Sequence, residues 1–167
     1  DILFEELGDH HREPLARRYP FHLVLEVSGS NTTHDSEKMD SFLEALMNDG
    51  IVEDGVVAQD AEQSAALWGL RENITVALNQ AGYVYKYDFS LPLNSFYELV
   101  KETRSRIEAR FGCMDGNNNS DIPLRVVGYG HVGDSNLHLN VCTPGQKRPT
   151  PEVTEVLEPF VYDFVRE

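Results

Sequence analysis

The sequence predicts an α+β fold in which a ferredoxin-like antiparallel sheet has helices packed mainly on one face. Two observations support this class: short segments alternate apolar and polar residues with period two, and longer segments repeat apolar residues at helical spacing. Strands and helices follow one another in the order β-α-β-α-β-α-β-β-α, which places several strands beside one layer of helices. A chain of 167 residues also has a suitable length for one domain.

The first half of the chain begins with polar, irregular residues and then alternates strands with helices. Residues 1–20 contain two prolines and are interpreted as a linker or the end of a preceding element, with the domain itself covering residues 21–167. The expected elements are, in order, a strand over 21–28, a helix over 35–48, a strand over 51–58 broken by an Asp54-Gly55 turn, and a long helix over 61–80.

The second half repeats the pattern and ends with two consecutive strands and a helix. The expected elements are a strand over 83–91, a helix capped by Asn94 or Ser95, a polar loop over 113–121, strands over 124–129 and 136–141, a proline-rich loop over 143–151, and a terminal helix. The apolar residues of the helix after Pro92 fall on one face, which should therefore pack against the sheet.

Composition excludes several classes of function. A net charge of −14 disfavours binding to nucleic acids and anionic membranes, and no apolar run approaches the ~20 residues needed to span a bilayer. Cys113 and Cys142 have no metal-binding spacing, so neither a disulfide nor a zinc knuckle is indicated. The chain begins at Asp1, not at methionine, and 160–167 resemble the middle of a helix, so we expect a fragment or a processed form.

The most informative motif is Gly-His-Val-Gly-Asp-Ser-Asn-Leu-His-Leu-Asn at residues 130–140. A two-residue turn at Asp134-Ser135 would place His131 directly opposite His138, with Cβ atoms about 4.5 to 5.5 Å apart. Asn140 would share their face because strand side chains alternate. Two imidazoles form an incomplete metal site, so a third ligand must come from elsewhere. The alternative is a glycine-rich hairpin with two incidental histidines.

Three further residues are candidates for binding a carboxylate. Arg71 and Thr75 are four residues apart in the predicted long helix, and together they could grip one carboxylate. Lys86, in the aromatic strand, could supply a second cation. The alternative for Arg71 is a solvated surface charge near Glu72, which would contribute only about 0 to 1 kcal/mol.

Three stretches of the chain, 67–75, 82–92 and 126–140, carry a resemblance to a known family. They read Leu-Trp-Gly-Leu-Arg-Glu-Asn-Ile-Thr, Gly-Tyr-Val-Tyr-Lys-Tyr-Asp-Phe-Ser-Leu-Pro and Val-Val-Gly-Tyr-Gly-His-Val-Gly-Asp-Ser-Asn-Leu-His-Leu-Asn. The chain resembles, over essentially its whole length, the C-terminal substrate domain of the D-2-hydroxyglutarate dehydrogenase family. These are FAD-linked oxidases of the vanillyl-alcohol-oxidase-like superfamily.

The resemblance implies roles for the residues that match the family's motifs. His131 and His138 would bind a divalent metal, normally zinc, and the residues that contact substrate would be Arg71, Thr75, Lys86 and Asn140. FAD would be bound mainly by an N-terminal domain outside this chain, and the third metal ligand would lie in a Glu-His-Gly motif beyond Glu167. Ser135 stands where the family has glycine.

The function that the resemblance implies is FAD- and metal-dependent oxidation of D-2-hydroxyglutarate to 2-oxoglutarate in mitochondria. Electrons would pass to an external acceptor such as an electron-transfer flavoprotein, and this chain alone would be inactive. One alternative is a D-lactate or glycolate dehydrogenase of the same superfamily, although Arg71 and Lys86 together favour a substrate with two carboxylates. Another is a noncatalytic metal-binding or interaction module.

Overall fold

The structure, a computed structural model, describes residues 2–8, 11–112 and 123–166. These residues form two compact units, one from Leu3 to Ile74 and one from Thr75 onward. The helices are α1 (Ile2–Leu7), α2 (Thr32–Asn48), α3 (Ala61–Glu72), α4 (Ile74–Ala81), α5 (Leu93–Phe111) and α6 (Pro151–Arg166), and the strands are β1 (Gly82–Ser90), β2 (Arg125–His131) and β3 (Asn136–Pro144).

The first unit is helical, and side-chain caps set where its two longer helices begin. The Asn31 side chain accepts a hydrogen bond from the His34 N–H at 3.2 Å, and Asp60 accepts one from the Gln63 N–H at 2.8 Å. Each bond satisfies a backbone donor that the first turn of a helix leaves without a partner. The helix predicted over 35–48 is confirmed as α2, which begins three residues earlier.

The single helix predicted over 61–80 is wrong, because it is divided into α3 and α4 at Asn73. Asn73 has φ −81° and ψ 0°, and its N–H donates to the Gly69 carbonyl as the last bond of α3. Its side-chain Nδ2 lies 3.2 Å from His11 Nε2. Asparagine is a poor residue for a helix interior because its amide competes with the backbone for hydrogen bonds, and here it ends the helix.

Both strands predicted in the first unit are wrong, since residues 21–29 and 51–58 form no strand. Alternation is present over 21–28, but its apolar members are exposed and the segment pairs with no strand in the described part of the chain. At 51–58, Asp54 accepts hydrogen bonds from the Ala16 N–H at 3.0 Å and the Tyr19 hydroxyl at 3.2 Å. These bonds fold the segment as a loop. The segment 1–20 is also not wholly irregular, because it contains α1.

The second unit contains a three-stranded antiparallel sheet with the strand order β1-β3-β2. The strands predicted over 83–91, 124–129 and 136–141 are confirmed, and so is the α+β class with an antiparallel sheet. Tyr85 pairs with Val141 across β1 and β3, and Val126 pairs with Val141 across β2 and β3. This register places most apolar residues of the three strands on one face, while Val84 and Val127 lie on the other.

Helices α5 and α6 cover that apolar face and form the core with it. The largest fully buried side chains include Leu99 and Ile107 from α5, Leu139 from β3 and Leu157 from α6. The approach of α5 to the sheet is close at Gly128, where an added Cβ would lie 2.4 Å from Val100 Cγ2. The helix predicted after Pro92 is therefore confirmed, together with the face that it buries. The predicted cap at Asn94 or Ser95 is wrong, because Pro92 occupies the cap position and both residues lie inside α5.

The polar loop predicted over 113–121 lies outside the described residues. Among the residues that are described, no helix combines the length and the apolar composition that crossing a membrane requires.

Candidate functional site

The sheet face opposite the core carries most of the residues that the sequence singled out. Antiparallel partners share a face, so the register fixes which residues lie on it. We call this surface the polar face; its residues include Lys86 and Asp88 on β1, Arg125, Tyr129 and His131 on β2, and Asn136, His138, Asn140 and Cys142 on β3. The sequence thus folds so that alternate residues build the core and the intervening residues build a candidate site.

The two histidines of the hairpin are neighbours on this face, but not in the predicted register. His131 pairs with Asn136 and His138 pairs with Tyr129, so the prediction that the histidines lie directly opposite each other is wrong. The cause is the turn, which has four residues and not two: a 3-10 turn over Val132–Asp134 followed by Ser135 in the left-handed conformation. The histidines are therefore diagonal neighbours, and the prediction that they share one face is confirmed.

The spacing of the two rings suits a shared divalent ion. Their centroids are 5.4 Å apart and their planes are almost perpendicular, at 88°. Two imidazoles bound to one tetrahedral ion at about 2.0 to 2.1 Å would have centroids roughly 5 Å apart. The donor set is also appropriate, since a neutral imidazole is a common ligand of zinc. Among the described residues no group of three or more His, Cys, Asp or Glu side chains is placed to hold a metal ion.

A carboxylate and an amide surround His138. Asp88, its direct partner across β1 and β3, places Oδ2 3.1 Å from His138 Nδ1. The other carboxylate oxygen, Oδ1, accepts a hydrogen bond from Asn136 Nδ2 at 2.5 Å. The Asn136 side-chain oxygen is buried and has no hydrogen-bond partner among the described residues. A buried acceptor without a donor indicates that a water molecule, an ion or a ligand belongs beside it.

Helix α4 adds a hydroxyl pair at the edge of the polar face. Thr75 Oγ1 and the Tyr129 hydroxyl are 2.6 Å apart, and the Tyr129 ring centroid is 5.3 Å from that of His138. Further along α4, the Leu78 carbonyl accepts from Cys142 Sγ at 3.5 Å. These contacts hold α4 against β2 and β3 and place Thr75 close to the histidines.

The remaining predicted substrate contacts differ in their surroundings. Lys86 is exposed and pairs across the sheet with Asn140, which is only 3% exposed. The Asn140 Nδ2 donates to the His138 carbonyl at 3.3 Å. Arg71 lies in the last turn of α3, within the first unit, so the argument that Arg71 and Thr75 are neighbours on one helix is wrong. The polar face of the second unit thus brings together Thr75, Lys86, Asn140 and both histidines.

Two residues of this face, Asp88 and Tyr129, were not singled out from the sequence. Each lies two positions from a predicted site residue on the same strand, Asp88 after Lys86 and Tyr129 before His131. The period-two rule that placed Asn140 beside His138 applies equally to them and could have found both.

Comparison of the sequence with known families assigns the class of domain to which this sheet and its polar face belong. Residues 2–167 match the family described as FAD linked oxidases, C-terminal domain, and the chain belongs to that family.

Among known proteins, the chain is similar to mitochondrial D-2-hydroxyglutarate dehydrogenases. It is 46% identical to that of Danio rerio over 145 residues, which are 87% of this chain and 24% of the fish protein. Identity is 41% with that of Rattus norvegicus, over 96% of this chain and 28% of the rat protein. A putative mitochondrial D-lactate dehydrogenase of Schizosaccharomyces pombe is 42% identical over 92% of this chain and 28% of its own length. The chain spans about a quarter of the length of these relatives.

Proposed function

We propose that this chain is the substrate- and metal-binding part of an FAD-dependent dehydrogenase that oxidises D-2-hydroxyglutarate to 2-oxoglutarate. The observation that carries the proposal is the polar face, where two imidazoles at 5.4 Å, a lysine and a buried amide lie on three adjacent strands. The names of the fish and rat relatives support this substrate and a mitochondrial location.

The proposed substrate contacts suit a 2-hydroxy diacid. Lys86 is exposed on β1 and can neutralise one carboxylate. Arg71 remains a proposed substrate contact on the family resemblance, since a planar guanidinium suits a carboxylate. The Thr75 hydroxyl can donate to a carboxylate oxygen when it accepts the hydrogen bond of the Tyr129 hydroxyl, because a hydroxyl can donate and accept at the same time. Asn140 is the proposed amide contact near the histidines.

The proposed cofactors are a divalent metal, taken to be zinc, and FAD. His131 and His138 would hold the metal, and the third ligand is expected in a Glu-His-Gly motif that follows this chain in the whole protein. The metal would supply Lewis acidity toward the 2-hydroxyl group, and FAD would supply the two-electron redox chemistry. The residues of this chain bind and orient the substrate; the whole protein would pass electrons to an external acceptor such as an electron-transfer flavoprotein.

A second candidate is oxidation of D-lactate, since the Schizosaccharomyces pombe relative is named a putative D-lactate dehydrogenase. The two substrates differ in one carboxylate, so Lys86→Ala in the whole protein separates them. If Lys86 binds the distal carboxylate, kcat/KM for D-2-hydroxyglutarate should fall roughly 10- to 100-fold, the loss of one hydrogen bond to a charged group. Turnover of D-lactate should change less than about threefold, because the missing carboxylate leaves Lys86 without a partner in the substrate.

Lys101→Ala is the matched control, since Lys101 is an exposed lysine of α5, on the opposite side of the sheet. It should leave both activities unchanged. A wild-type preference for D-lactate would replace the diacid proposal with the monocarboxylate one. An equal loss of both activities in Lys86→Ala would contradict the assignment of Lys86 to the distal carboxylate.

A further inference from the structure

We infer that Asp88 is a positioning residue that fixes the ring orientation and the tautomer of His138, so that His138 presents Nε2 to the metal. This inference rests on the proposed metal site at His131 and His138. Three observations carry it: the pairing of Asp88 with His138 in the sheet, the carboxylate contact to Nδ1, and the hydrogen bond that holds the carboxylate from its other side.

The register brings the carboxylate to the histidine without any long-range adjustment. Asp88 and His138 are direct partners of β1 and β3, so their side chains leave the same face at neighbouring points. The carboxylate oxygen Oδ2 then lies 3.1 Å from Nδ1, which is within hydrogen-bond distance. An ionised carboxylate only accepts hydrogen bonds, so Nδ1 carries the proton in this contact.

The tautomer follows from this contact. A neutral imidazole has one protonated and one unprotonated nitrogen, and a metal ion binds the unprotonated one. With the proton held on Nδ1 by Asp88, the lone pair of His138 is on Nε2. A carboxylate in this position also fixes the orientation of the imidazole ring, as hydrogen-bond partners of metal-binding histidines do.

Asn136 holds Asp88 in turn. Its Nδ2 donates to Oδ1 of Asp88 at 2.5 Å, so the two carboxylate oxygens are bound by different partners and the carboxylate cannot rotate without losing one of them. This matters because the Asp88 side chain is 65% exposed, and an exposed carboxylate with one partner would be free to leave it. The order Asn136, Asp88, His138 therefore forms a chain of positioning contacts that ends at a proposed metal ligand.

The first test is the tautomer of His138 in the metal-free protein, measured by nitrogen-15 NMR of the labelled imidazole. Wild type should show a protonated Nδ1 and an unprotonated Nε2. In Asp88→Ala this preference should be lost, and the form protonated on Nε2 should become populated. Retention of the Nδ1-protonated form in Asp88→Ala would overturn the inference, whatever the metal does.

The second test is zinc binding, measured by calorimetric titration of the metal-free whole protein. Asp88→Ala should weaken zinc binding about 10- to 100-fold, as expected when the hydrogen-bond partner of a metal ligand is removed. Asp88→Asn preserves the size of the side chain and one acceptor oxygen, and should give a smaller loss. The matched control is Asp163→Ala, which removes a similarly exposed carboxylate, 69% exposed on α6, and should bind zinc like wild type.

The outcomes separate this inference from the proposed function. If wild type and His131→Ala bind zinc equally, the proposed metal site is wrong, while the NMR measurement still decides the role of Asp88. If wild type binds zinc, His131→Ala does not, and both Asp88 variants bind within twofold of wild type, then Asp88 does not position His138.

Discussion

Ser135→Gly should stabilise the second unit, although most substitutions in a folded chain destabilise it. Ser135 has φ 59° and ψ 32°, and among the described residues it is the one non-glycine residue with positive φ. An L-residue in this left-handed conformation costs about 1 to 2 kcal/mol because its Cβ crowds the following carbonyl. Glycine removes that cost but loses about 0.4 to 1 kcal/mol through the greater freedom of the unfolded chain. The net expectation is a gain of about 0.5 to 1 kcal/mol.

The backbone contacts of the turn should survive this substitution. The Ser135 carbonyl accepts from the Leu91 N–H at 3.0 Å, and the Ser135 N–H donates to the Val132 carbonyl at 3.4 Å. Both groups belong to the backbone, so glycine keeps them. The stabilisation should therefore appear without a change in the sheet register or in the spacing of the two histidines.

The assay is urea denaturation followed by far-UV circular dichroism, with Ser105→Gly as the matched control. Ser105 is exposed within α5, where the same substitution should lower the free energy of unfolding by about 0.5 kcal/mol through helix propensity. Opposite signs for one chemical change at two sites would show that the left-handed conformation is the cause. A destabilising effect at Ser135 would refute the strain argument.

Two further predictions concern packing and pH. Gly128→Ala should destabilise the second unit by about 1 to 3 kcal/mol, because the new methyl group would lie 2.4 Å from Val100 Cγ2. The control Gly133→Ala adds a methyl group where no atom lies within 4 Å, so it should lower the free energy of unfolding less when both variants are compared by chemical denaturation. The hydrogen bond from the Ala16 backbone N–H lowers the pKa of Asp54 below its ordinary value. The ionised Asp54 carboxylate therefore stabilises the folded chain fully at a pH above that ordinary pKa, and this stabilisation is lost as the pH falls through the lowered pKa of the folded state. Asp54→Asn should therefore flatten the acid limb of stability below about pH 4, measured by unfolding across pH; an unchanged limb would contradict the argument.

The sequence predicted the second unit better than the first. In the second unit, alternation and helical spacing agree with what the residues bury: β1, β3 and α5 present one apolar face each, and these faces meet in a single core. In the first unit, the alternating residues of 21–28 have no strand partner among the described residues, and a single asparagine divides a helix that the spacing alone would continue. Pattern shows which side of an element is apolar, but not whether a partner is present.

The candidate site shows the same limit at a finer scale. The sequence correctly placed His131, His138 and Asn140 on one face: His138 and Asn140 share it by alternation within β3, and His131 shares it because two extra turn residues shift the register by an even number. The exact pairing depended on the loop length, and four residues in the turn in place of two moved His131 from opposite His138 to a diagonal position. The role of Asp88 required the pairing of β1 with β3, which is a long-range contact that no local pattern encodes.

The central claim is that the polar face binds a divalent metal through His131 and His138. The most direct test is zinc titration of the metal-free whole protein, comparing wild type with His131→Ala, His138→Ala and the exposed control His22→Ala. Wild type and His22→Ala should bind zinc alike. Removing a hydrogen-bond partner of a metal ligand weakens metal binding by at most about 100-fold, so removing His131 or His138 itself should weaken zinc binding by more than that. Equal zinc affinity in all four proteins would contradict the account.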